Sequence, residues 1–191
     1  MNKLPLKAEV SYLKEFLTAK EATDIYNHIL HDYHINQYRI NINGRDSDFG
    51  KIMFVDSFIV EENRMPAPFY GQSFVWSEKM KTIKSRIEKL TNHQFQVCVC
   101  IYYPNGNSGV DFHYDPPAFG DTTYIPSLSL GEERQFLLRE KETHHIHEIM
   151  LEEGSLLIMG DQCQELYEHC LPTDSQYKNG RINLTFRKYG F

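Results

Sequence analysis

The first clear periodicity in the chain is helical. Ala22, Ile25, Tyr26, Ile29 and Leu30 fall at i, i+3, i+4, i+7 and i+8, one apolar stripe that must pack on something. Thr18 stands three residues before Glu21, the spacing at which a threonine cap and a glutamate exchange hydrogen bonds with a helix's first turn, so the helix is expected to begin there. His28 and His31 fall off the stripe and are expected in solvent. A second helix is signalled by Ser77 as cap, followed by Met80, Ile83, Ile87 and Leu90 with lysines and glutamates between them, and should run to about Leu90. Between the two helices, residues 35–76 are aromatic-rich and only weakly alternating, and are broken by Gly44, Gly50, Pro66, Pro68 and Gly71. That pattern suggests short strands and irregular loops, a segment suited to a substrate lid.

From residue 94 the period changes to two. Short β-rich runs separated by turn residues occupy 95–103, 109–114, 125–130, 134–140, 146–151, 155–159, 166–171 and 181–188, the signature of a sandwich or barrel. No internal repeat, low-complexity tract or linker divides the chain. The expectation is one domain over residues 1–191, an α+β but mainly β fold whose 94–191 core is buttressed by two N-terminal helices.

Composition narrows the class without changing this picture. At 41% hydrophobic and 24% charged residues, the chain falls outside the collagen-like, disordered and coiled-coil classes. The net charge of −6 argues against a broad positive surface, and so against tight, shape-blind binding to duplex nucleic acid. Cys98, Cys100, Cys163 and Cys170 form no C-x-x-C pair and are expected to be buried thiols. No apolar run approaches the roughly 18–20 residues of a membrane span, and residues 1–10 lack the apolar core of a signal peptide. An intracellular monomer, cytoplasmic or nuclear, is therefore expected, with no membrane partner.

The chemistry concentrates in the β-rich half. In a strand, residues two apart share a face, so His113 and Asp115 present an imidazole and a carboxylate side by side. A second histidine would complete two imidazoles and one carboxylate, the triad that leaves open positions on non-haem Fe(II). His169, on a short run ended by Pro172, is the choice. The sharpest signal is the strand over 181–187, where Arg181, Asn183, Thr185 and Arg187 alternate with Ile182, Leu184 and Phe186. An exposed edge would explain the pattern. So would a site, because Cα atoms about 20 Å apart, at roughly 3.3 Å per residue, let two inward-leaning arginines hold the charges of a small dicarboxylate. The strand over 95–103 sets Gln96, Cys98, Cys100 and Tyr102 on one face, and Tyr102 is taken as the hydrogen-bond donor of that face. The His144-His145-x-His147 cluster is read as a solvated turn.

His113-x-Asp115, Ser127-Leu128-Ser129-Leu130-Gly131 with Arg134-x-Phe136, Gly154-Ser155-Leu156-Leu157, Gln164-x-x-Tyr167-x-His169 and Arg181-x-Asn183-Leu184-Thr185-Phe186-Arg187 together resemble the AlkB-like 2-oxoglutarate and Fe(II)-dependent dioxygenases over residues 76–187. The resemblance implies a double-stranded β-helix, or jelly roll, with iron held by His113, Asp115 and His169 and with O2 as cosubstrate. It implies that 2-oxoglutarate pairs its far carboxylate with Arg181 and Tyr102, while Asn183 and Arg187 serve the end nearer the iron. Tyr70, Phe74 and Trp76 are the candidates for stacking on a base. The activity implied is oxidative demethylation of N-alkylated bases, releasing formaldehyde, succinate and CO2. Single-stranded DNA or RNA is favoured because extruding a base from a duplex costs a few kcal/mol. Pro116 and Pro117 follow Asp115 where members of the family commonly carry an acidic residue. The alternatives are the same oxidation aimed at a protein side chain or small metabolite, and a binding module of this fold without turnover.

Overall fold

The computed structural model describes residues 1–39, 41–42, 45–62, 64, 72–118 and 120–190. In chain order it forms β1 (Asn2–Lys3), β2 (Val10–Leu13), α1 (Ala19–Asn27), β3 (Asn41–Ile42), β4 (Arg45–Asp46), β5 (Gly50–Val55), α2 (Ser57–Glu61), β6 (Ser73–Val75) and α3 (Glu78–Thr91). There follow β7 (Val97–Tyr103), β8 (Val110–His113), β9 (Ile125–Gly131), β10 (Arg134–Glu140), β11 (Ile146–Leu151), β12 (Leu156–Met159), α4 (Cys163–Leu166), β13 (Tyr167–Leu171) and β14 (Arg181–Arg187). All eight strands expected in the second half form. A large sheet runs β1-β2-β12-β9-β14-β7-β5-β6 and a small one β11-β10-β13-β8. Their inner faces enclose a cavity, the jelly-roll arrangement.

The alternation of β14 decides its place. β14 lies in the interior of the large sheet, bonded on one side to β9 and on the other to β7, so an exposed edge face does not occur. Ile182, Leu184 and Phe186 are fully buried in a cluster with Ala22, Ile25 and Ile29 of the first helical segment and Met80, Ile83 and Ile87 of α3. The opposite face looks into the cavity. Both helix caps form: the Thr18 backbone N–H donates to Glu21 Oε2 at 2.8 Å, and Ser77 Oγ accepts from the Met80 N–H at 3.3 Å. His28 is not in solvent. Its Nε2 meets Ser77 Oγ at 2.9 Å and its Nδ1 meets Asp32 Oδ2 at 2.6 Å, so the ring ties the end of α1 to the cap of α3.

Two side chains expected to stack on a base serve the core instead. Trp76 lies parallel to Phe186, with ring centroids 6.1 Å apart, and its indole N–H donates to Asp56 Oδ1 at 2.7 Å. Phe74 meets Tyr33 and Tyr38 edge-on at 5.1 and 6.0 Å. The physical reason is that β5 and β6 are strands of the large sheet, so much of the expected lid is scaffold and its aromatics fill the space beneath the helices. Tyr70 lies outside the described residues. All four cysteines are free and buried. Among the described residues no helix is long and apolar enough to cross a membrane.

Arg134 explains how the long loop before β8 is held. The side chain is fully buried, donates to the carbonyls of Asn105, Ser108 and Pro172 at 3.3, 3.2 and 2.8 Å, and lies over the Tyr177 ring. A Cβ on Gly106 would collide with the Asp174 carbonyl, so this loop packs against the one before β14 only with glycine there.

Candidate metal and cofactor site

β8 and β13 are antiparallel neighbours, and His113 and His169 are direct partners across them, with ring centroids 4.2 Å apart. Asp115 follows just beyond the end of β8, where its backbone N–H donates to Gln164 Oε1 of α4 at 2.8 Å and fixes the chain as it leaves the sheet. One donor atom from each of His113, Asp115 and His169 lies within 4.8 Å of the others. The nitrogen His113 Nδ1 is 2.7 Å from the Asp111 carbonyl, which can only accept, so Nδ1 carries the proton and Nε2 keeps its lone pair for a metal. Phe136 stacks on His169 from the neighbouring strand at 5.5 Å. Among the described residues no other three histidines, cysteines or carboxylates are so grouped. His144 occupies the turn between β10 and β11 and is exposed, as is His145, while His147 packs near Tyr167.

The large sheet supplies the counter-charges. Arg187 Nη2 donates to Asp115 Oδ1 at 2.6 Å and so ties β14 to the small sheet. Burial by itself would raise the Asp115 carboxyl, but the Arg187 guanidinium, with His169 and His113 close by, outweighs it and holds the group below its ordinary value. Burial pulls the His169 imidazole down to about 4, with Asp115 opposing and His113 and Arg187 reinforcing. The ring is thus neutral, as a ligand must be, throughout the neutral range.

A pH dependence follows, with its sign. Unfolded, a histidine takes up its proton near 6.5; in this fold His169 does so only near 4. Between those values the unfolded chain binds more protons, so stability rises with pH and is lost as pH falls through the window. Asp115, held low, loses its contribution in the same direction at still lower pH. Metal-free protein should lose about 3 kcal/mol between pH 7 and pH 4, because each tenfold difference in proton affinity between the folded and unfolded chain is worth about 1.4 kcal/mol. Urea unfolding across that range checks it, and a His169→Phe variant should show a visibly shallower loss; identical slopes would remove His169 as the cause.

At the far end of β14, Arg181 is 2% exposed. It donates from Nη2 to Ser129 Oγ at 3.0 Å, its Cζ stands 5.8 Å from the Tyr103 ring centroid, and its Nε has no partner. Among the described residues no carboxylate pairs with it. Burial brings the guanidinium down to about 10 and pushes the Tyr103 phenol up to about 12. Asn183 also lines the cavity, with its amide donating to Ser127 Oγ at 2.8 Å and to the Leu128 carbonyl at 3.2 Å. Tyr102 does not face this space. β7 turns Ile101 and Tyr103 toward the cavity, and Tyr102 sits on the helix side beside Tyr26 and Gly180.

One cavity of about 340 Å³ joins the triad to both arginines, walled by Ile101, Val110, Phe136, Leu151 and Leu171. Lys51 of β5, absent from the sequence-based expectations, also lines it. The residue is half-buried, and burial first, then the charge of Arg187, brings its ammonium down to about 8 against the pull of Asp115. Two imidazoles and one carboxylate with open space beside them suit a divalent transition metal such as Fe(II). A buried guanidinium with an orphaned N–H suits the carboxylate of a small dianion.

Comparison with known proteins agrees with this chemistry. The model of the 2OG-Fe(II) oxygenase superfamily matches residues 9–187. The human protein described as alpha-ketoglutarate-dependent dioxygenase alkB homolog 3 is 35% identical over 122 residues, 59% of this chain and 43% of that protein. The match therefore spans less than half the length of that relative. An Arabidopsis thaliana protein described as DNA oxidative demethylase ALKBH2 is 25% identical over 213 residues, covering 94% of this chain and 66% of its own length. Among solved structures, OsALKBH1 superposes with a TM-score of 0.66 at 18% identity, covering 97% of this chain and all of that one. A Pseudomonas putida prolyl-4-hydroxylase gives 0.60 at 16% identity, covering 96% and 95%. At such identities these two speak for the fold.

Proposed function

On the premise that this chain belongs to the 2OG-Fe(II) oxygenase superfamily, we propose that it is an Fe(II)- and 2-oxoglutarate-dependent demethylase of N-alkylated nucleobases in single-stranded DNA or RNA. The observation that carries the oxygenase reading is the Arg181 guanidinium, buried with no carboxylate paired to it among the described residues, in the same cavity as the His113, Asp115 and His169 triad. Its support on the substrate side is the similarity to relatives described as DNA oxidative demethylases. Single strands fit a chain of net charge −6, which lacks the positive excess that duplex binding draws on.

His113, Asp115 and His169 would hold the iron, which when bound supplies the activation of O2. Arg181 and Tyr103 would take the distal carboxylate of 2-oxoglutarate, and Asn183 and Arg187 the end nearer the metal. Arg187 also keeps Asp115 aimed, through its 2.6 Å hydrogen bond. The apolar walls exclude water from the reacting carbon. In each turnover one oxygen atom of O2 leaves in succinate as CO2 is lost, and the other is inserted into an N-methyl C–H bond. The resulting N–CH2OH breaks its C–N bond, giving formaldehyde and an N–H base.

The test is formaldehyde release and succinate formation across methylated single and double strands, with His169→Ala as the blank. Near-equal amounts of the two products, larger on single strands, are expected. If methylated strands neither release formaldehyde nor accelerate succinate formation, the nucleobase reading gives way to hydroxylation of a protein side chain or small metabolite.

A further inference from the structure

Two aromatic residues stand in a row on the outside of the strand that carries the donor set. His113 and Asp115 turn into the cavity, so Phe112 and Tyr114, each one residue away, face the other side of the small sheet. Both rings carry a cation. The Arg139 Cζ lies 3.8 Å from the Phe112 ring centroid, and the Lys141 Nζ lies 4.5 Å from that of Tyr114.

The two pairs differ in what they leave open. Phe112 is half-buried beneath Arg139, whose guanidinium is bonded to Glu168 at 2.6 Å. Tyr114 is 51% exposed, so ring area remains beside the lysine. Lys141 donates to the Gln164 carbonyl at 2.9 Å, a neutral acceptor. Glu168 feels its ammonium but is already held by Arg139, and among the described residues no carboxylate forms an ion pair with Lys141. A stacking face and a cation available to an anion therefore stand side by side.

Their position ties them to the cavity. Gln164, which holds Lys141 through its carbonyl, also accepts the Asp115 N–H on its Oε1 at 2.8 Å. The pair is thereby fixed at the donor-set end of the cavity, with Arg181 at the other end of β14. β8 is the outermost strand of the small sheet and is bonded to β13 alone, so a polynucleotide can pass around it with one base inside and the next outside.

We infer that Tyr114 and Lys141 form a binding site for the nucleotide next to the methylated one, its base stacked on the Tyr114 ring and the intervening phosphate against Lys141. The inference rests on the nucleobase reading above and says what grips the strand beside the base that is demethylated. Stacking on a phenol is open to every base, so the neighbour is held whatever its identity. In a duplex that base already has its faces covered and its partner paired, which gives a second reason for single strands to be preferred.

The experiment uses short single strands with a central 1-methyladenine, 3-methylcytosine or N6-methyladenine, each made intact, with an abasic site on the 5′ side, or with one on the 3′ side. It reads anisotropy without O2 and kcat/KM for formaldehyde release, for the wild type, Tyr114→Ala, Tyr114→Phe and Lys141→Gln. Each ratio of intact to abasic strand is taken within one variant, so differences in cofactor loading cancel. Loss of one stacked base should weaken wild-type binding about tenfold for an abasic site on one of the two sides. Tyr114→Ala should bind the intact strand about tenfold more weakly and become indifferent to that abasic site, and Tyr114→Phe should restore the wild-type ratio. Lys141→Gln should keep the ratio and flatten the slope of log affinity against log salt by about 0.7, the share of one phosphate on a single strand. A wild type indifferent to abasic sites on both sides, or a Tyr114→Ala variant as sensitive to them as the wild type, overturns the inference while the nucleobase reading stands. If none of the methylated strands is bound or demethylated by the wild type, the nucleobase reading fails and takes the inference with it.

Discussion

Replacing Arg181 by methionine should raise the 2-oxoglutarate concentration needed for half-maximal succinate formation by about a hundredfold or more, the loss of a charge-assisted, desolvated pairing worth roughly 3 kcal/mol. The same change should leave the ligand-free fold as stable as before or more so. The two expectations have one cause. Arg181 is buried, its Nε lacks a partner, and the contact at Nη2 is the neutral hydroxyl of Ser129. An ion in that state costs the fold several kcal/mol, which a dicarboxylate offsets on arrival. Methionine fills similar space without the charge. Thermal melts with and without 2-oxoglutarate show both halves: the wild type should gain about 2.7 kcal/mol at a hundredfold excess over Kd, and the variant should gain little. Tyr103→Phe should weaken the cofactor severalfold and Tyr102→Phe should not, since β7 turns only the former toward the cavity. An Arg181→Met enzyme with unchanged half-saturation would remove this residue from the cofactor site.

The error over Tyr102 shows where sequence periodicity stops being informative. A strand wet on one face announces its orientation, and β14 did so because its two faces differ in polarity. β7 is buried on both. Cys98 and Cys100 face the helices, Val97 and Val99 the other side, and nothing in the residue types says which is which. Partner strands supply the answer: Tyr102 sits opposite Ile182 and therefore shares the helix-facing side, while Tyr103 sits opposite Arg181.

The grouping of His113, Asp115 and His169 was legible for a related reason. His113 and Asp115 share a face by spacing alone, and His169 reaches them because β13 pairs with β8, a long-range fact that a short polar run could only hint at. Trp76 and Phe74 were misplaced because aromatic residues beside a supposed lid look the same whether they wait for a ligand or fill a core. The pairing of β5 and β6 into the large sheet settles that these two fill it. Lys51 is not legible in the sequence because one lysine within an apolar run reads as a residue turned to water.

The remaining prediction separates the metal role of Asp115 from its role in the fold. Asp115→Ala and His169→Ala should each cut iron-dependent turnover to about a thousandth or less, since even outer-shell partners of metal ligands are worth about 10–100-fold and these two are proposed as direct donors. Their effects on stability should differ. Losing His169 removes a neutral ring packed on Phe136 and leaves no unpaired charge behind. Losing Asp115 strands the Arg187 guanidinium, whose other side-chain hydrogen bond among the described residues is to Thr185 Oγ1 at 3.5 Å, and an uncompensated buried ion costs about 3–5 kcal/mol. Adding Arg187→Met to Asp115→Ala should therefore recover most of the lost stability and none of the turnover. That sign of coupling is opposite to what two independent lesions would give. Urea unfolding of the metal-free single and double variants, alongside succinate formation with saturating iron, reads both quantities. Additive destabilisation in the double variant would mean that Arg187 does not depend on Asp115 for its charge balance. Recovered turnover would mean that Asp115 is not a ligand.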